Sequence, residues 1–89
     1  MRKSEFNKIV KDGINRGREY LAVRIETEGN PTPEVILNRR ESFTQKLAYY
    51  NKAYNEDLEL IAAKNSGKLI RITDALVTSN LNDLTWFIF

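Results

Sequence analysis

The chain opens with apolar residues at helical spacing. Phe6, Ile9, Val10 and Ile14 fall on one face of a helix over about residues 4–16, while Lys8, Lys11 and Asn15 point away from it. Ser4 is a suitable first cap and Gly17 a stop. The period then changes to two. In "YLAVRIETE", Leu21, Val23 and Ile25 alternate with Arg24, Glu26 and Glu28, which predicts a half-buried strand. "GNPTP" is turn chemistry, and "EVIL" reads as a second strand.

Asn38 with Glu41 three residues later has the form of a capping box, and predicts a second helix over about residues 39–55. "LELIAA" reads as a third strand, "KNSGK" as a turn holding Gly67, and "LIRIT" as a fourth strand. Alternation fails after Asp74, the mark of a bulge or bend. "TSNLND" reads as another turn, and "LTWFIF" as a last strand. The predicted order is α-β-β-α-β-β-β, an α+β domain spanning residues 1–89, with two helices packed on one face of a mainly antiparallel sheet. Aligning Phe6 with Phe43, Val10 with Leu47, Leu21 with Leu58 and Val23 with Leu60 superposes the two halves and raises an internal duplication.

The run "QKLAYYNKAYNEDL" interleaves aromatic and basic residues, and helical phase separates them. Phe43, Leu47, Tyr50 and Tyr54 lie within roughly 60° of one another and form a core stripe. Tyr49 lies on the other side with Lys46 and Lys52. An aromatic flanked by two lysines suits a protein hot spot, or a base stacked above phosphate contacts. The strand reading of the C-terminus gives a second candidate. There Trp86 and Ile88 face one way and Phe87 and Phe89 the other. Trp86 and Ile88 are assigned to the core, and Phe87 and Phe89 to an interface with a partner or a second copy.

Composition narrows the chemistry. Eighty-nine residues with 42% hydrophobic and 29% charged content suit one modest globular core. The net charge of +2 is too balanced to imply nucleic acid by itself. Without cysteine or histidine there is no disulfide, no thiolate nucleophile and no histidine base. "AAKNSGKL" falls short of a phosphate-binding loop: Ala62 and Leu69 stand where glycine and a hydroxyl residue are required. The carboxylates Glu26, Glu28, Glu56, Asp57 and Glu59 lack the spacing of a calcium loop. No cofactor or metal is expected, and no nucleophile–base pair stands out. No apolar run is long enough for a membrane helix, which fits a cytoplasmic protein.

These features are similar in general character to small single-domain proteins of phages and mobile elements. Some of those, such as anti-CRISPR proteins, inhibit nucleic-acid machines; the likeness carries no residues across. The leading expectation is a non-catalytic binding protein that docks on, and in that way inhibits or assists, a protein or protein–nucleic-acid complex. Its contact would be Tyr49 with Lys46 and Lys52, or the C-terminal strand, which could also form a homodimer. A second reading is direct RNA or DNA binding by the basic helix faces, with Lys8 and Lys11 joining Lys46 and Lys52. A third is a small enzyme using Glu, Lys or Tyr chemistry.

Overall fold

A computed structural model describes residues 1–88. The first helix, α1 (Lys3–Asn15), is followed by strands β1 (Tyr20–Thr27) and β2 (Glu34–Arg39). One 3₁₀ turn, Arg40–Ser42, leads into α2 (Phe43–Ala53). After these come a short helix α3 (Ile61–Asn65), strand β3 (Ile70–Thr78) and a last helix α4 (Leu81–Ile88). The strands form one antiparallel sheet in the order β2-β1-β3. The α+β class and the opening α-β-β-α order are those expected from the sequence.

Two later segments differ. "LELIAA" contributes only an isolated pairing to the sheet edge, where the Ile72 amide donates to the Leu58 carbonyl and the Leu60 amide to that of Ile70. The chain then coils into α3. Gly67 ends that helix instead of turning a hairpin: at φ 82 it lets its own amide and that of Lys68 bond back to Lys64 and Ala63. "LTWFIF" lies mostly within α4, with Phe89 outside the described residues. Asn80 opens this helix, its side-chain oxygen accepting from the Asn82 amide at 3.0 Å. Among the described residues the second half therefore carries no hairpin after its helix, and the duplication is not seen in their fold.

Asn38 is also not a helix cap. It is a buried β2 residue whose side chain donates to the Leu21 carbonyl at 3.4 Å. The helix starts later because β2 continues to Arg39.

The principal core lies where α1 and α2 cover one sheet face. Phe6 and Val10 from α1, Phe43 and Tyr50 from α2, and Leu21, Val23 and Ile72 from the sheet are all buried there. The helices are joined above it by a reciprocal amide pair, Asn7 and Asn51, at 2.9 and 2.7 Å. Thr73 is the extra residue of a bulge, because Arg24 pairs with Asp74 while Ile25 pairs with Ile72. This insertion moves the inward parity of β3 from Ile70 and Ile72 to Ala75 and Val77.

Gly13 continues the Phe6–Val10 face of α1 where that helix presses on β3. A methyl group there would sit 2.9 Å from the Val77 side chain. We expect Gly13→Ala to destabilise by about 1–2 kcal/mol, overpacking outweighing alanine's better helix propensity. Urea denaturation checks this, and a gain in stability would contradict the close approach.

The opposite sheet face has a smaller cover. Leu84 and Phe87 of α4 pack on Ala22, Val35 and Leu76. Arg24 rises from this face, its guanidinium 4.7 Å from the centre of the Phe87 ring, and donates to the Phe87 carbonyl. A cation thus satisfies the C-terminal end of α4.

Leu58 is the one described non-glycine residue with positive φ, at 60°, and its side chain is fully buried. The turn before it is wound around Asn55, whose side-chain oxygen accepts from the Asp57 and Glu59 amides, both at 3.0 Å.

Candidate functional site

α2 has a core face and a solvent face. Phe43 and Tyr50 are buried in it, with Tyr54 at its C-terminal cap, whereas Tyr49 is 53% exposed. Tyr49 is nonetheless held in place. Its ring meets that of Tyr50 edge-on at 5.3 Å, and Tyr50 in turn meets Phe6 at 5.4 Å. The Lys46 ammonium lies 5.7 Å from the centre of the Tyr49 ring.

Beside Tyr49 runs an open groove between the C-terminal half of α2 and α3. Ala53, Leu60, Ile61 and Ala62 supply its apolar lining, with Lys52 and Asn65 as its polar members. Its far wall is fixed by a chain of polar contacts. The Asn55 side-chain amide donates to Glu59 at 3.0 Å, and the same carboxylate oxygen receives Lys64 at 2.8 Å. These contacts, that from Asn55 foremost, hold the Glu59 carboxyl below its ordinary range, and the pairing with Glu59 raises Lys64. In the principal core, burial pushes the Tyr54 phenol up to about 12, and the Tyr50 phenol shifts the same way.

Tyr49, Lys46 and Lys52 are therefore brought together as expected. Lys8 and Lys11 are not part of that cluster; they line a separate shallow trough along α1 with Ser4, Asn7, Asp12 and Asn15. Lys8, Lys11, Lys46 and Lys52 have no carboxylate partner within ion-pair distance among the described residues. The expected C-terminal interface is reversed. Phe87 is buried against the sheet, Trp86 is 85% exposed, and Phe89 lies outside the described residues. A helix with the register of α4 turns Leu84 and Phe87 inward and Trp86 outward, which strand alternation could not anticipate.

Sequence reasoning misses the groove's α3 wall, because the pattern of "LELIAA" fits a strand. The Gly67 stop two residues beyond α3 was the available signal. Among the described residues no group of three or more acidic side chains is placed to hold a metal ion, and no helix is long and apolar enough to cross a membrane.

No protein-family model matches the chain, and no curated protein or solved structure matches it significantly.

Proposed function

We propose that this is a small non-catalytic binding protein that docks on another protein, or on the protein part of a nucleic-acid complex, through the groove beside Tyr49. The observation that carries this reading is the groove itself, with a half-exposed but braced tyrosine at its mouth. A tyrosine offers large contact area with little ordering cost, a property that enriches it at interface hot spots. Lys46 and Lys52, free of carboxylate partners among the described residues, favour an occupant whose apolar residues are flanked by acidic ones. An accessory or inhibitory role of phage or mobile-element type belongs to the same reading.

The test is capture of partners from host extract with wild type and Tyr49→Ala, each with and without nuclease. We expect a protein partner that survives nuclease, and whose affinity falls about 30-fold or more with Tyr49→Ala. An unchanged affinity would remove Tyr49 from the contact. Capture that nuclease abolishes and that falls steeply with salt would favour the basic trough of Lys8 and Lys11 and a nucleic-acid ligand.

A further inference from the structure

The strand β2 lies at one edge of the sheet. The Arg40 amide donates to the Glu19 carbonyl at 2.9 Å, which fixes the phase of the β1–β2 ladder. In an antiparallel ladder, bonded pairs recur at every second residue. Glu34, Ile36 and Asn38 therefore bond towards β1, and the backbone groups of Val35, Leu37 and Arg39 face outwards. The Arg39 carbonyl shows this directly, since it accepts the Ser42 hydroxyl at 3.0 Å.

We infer that this edge pairs with β2 of a second copy, antiparallel and with Leu37 opposite Leu37 on the two-fold axis. Three features of the strand favour its own copy as occupant. A two-fold axis normal to the sheet leaves each side chain on its own face, so residues of the same parity must lie opposite each other. The register centred on Leu37 meets that condition and sets Val35 opposite Arg39. It matches every outward amide of the strand to an outward carbonyl, two of them sharing the Arg39 carbonyl with Ser42. A register one step away, centred on Ile36, would set Glu34 opposite Asn38 instead of Arg40, and Arg39 opposite Pro33, which has no amide to give.

Charge points the same way. The strand begins with Glu34 and ends at Arg39 and Arg40, so antiparallel self-pairing sets acid near base, whereas parallel pairing would set like against like. At its centre, Leu37 is 50% exposed, and the run Val35–Leu37 carries none of the charges that usually blunt an edge. The pairing would join two three-stranded sheets into one. It uses neither Tyr49 nor the α2–α3 groove, so it stands independently of the proposed function.

Sedimentation of the wild type and Leu37→Lys over a range of concentrations tests this. Leu37 is exposed enough for lysine to leave the fold intact, yet the pair would set two ammonium groups together on the axis. We expect a wild-type dimer whose dissociation constant rises tenfold or more in Leu37→Lys. A wild type that stays monomeric up to about 1 mM, or a variant that dimerises equally well, overturns the proposal. Should Leu37→Lys fail to fold, amide exchange on the wild type decides. Protection of Val35, Leu37 and Arg39 that grows with concentration, with Ile36 and Asn38 protected throughout, supports the pairing; concentration-independent exchange at those three overturns it.

Discussion

Replacing Tyr50 by alanine is expected to lower stability by about 3–5 kcal/mol, whereas Tyr49→Ala costs about 1 kcal/mol or less. The two residues are neighbours in sequence and chemically identical. They differ in what surrounds them. Tyr50 is 2% exposed and sits at the meeting point of α1, α2 and the sheet, edge-on to Phe6 and tilted against Tyr54 at 5.9 Å. Its removal leaves a cavity lined by residues from every principal element, which cannot all move to fill it. Tyr49 loses only its edge contact with Tyr50 and the Lys46 ammonium over its ring. Urea denaturation of both variants measures the difference, and equal losses would contradict the phase of α2.

The second large effect is at the C-terminus. Phe87→Ser is expected to cost about 3 kcal/mol, and Trp86→Ser no more than about 0.5 kcal/mol. Phe87 fills the smaller core and carries the Arg24 contact, while the neighbouring Trp86 points into solvent. Thermal melts followed by circular dichroism would show it. A larger loss for Trp86→Ser would mean that α4 packs through its other face.

This second case shows where the sequence was hard to read. The first helix, the hairpin and the core stripe of α2 were legible, because each spans enough residues for one period to outweigh the other. "LTWFIF" is too short and too apolar for that: with five apolar residues in six it fits strand and helix equally well. What decides is outside the run, in Asn80 and Asp83. Asn80 caps the helix, and Asp83 accepts the Thr78 hydroxyl at 2.6 Å, closing the corner between β3 and α4. Asn38 misled for the converse reason. Its spacing from Glu41 matches a cap, but its amide is used beneath α2 as a buried polar residue of the sheet. At the candidate site, Tyr49 and its lysines were legible from helical phase alone. The groove beside them was not, since α3 is a five-residue helix placed by the Asn55–Glu59–Lys64 chain and not by its own period.

The conformation of Leu58 bears on how this protein can vary. Its backbone is in the region that suits glycine, asparagine or aspartate, while its side chain fills space that only a large aliphatic group occupies well. Glycine would relieve the backbone and empty the core, and asparagine would accept the turn but bury an amide. Isoleucine would keep the bulk, yet its branched Cβ is disfavoured at positive φ. Each of these substitutions satisfies one demand by failing the other. Glycine, asparagine and β-branched residues should therefore appear here only together with changes in the turn from Asn55 to Asp57 or in the core residues that Leu58 touches.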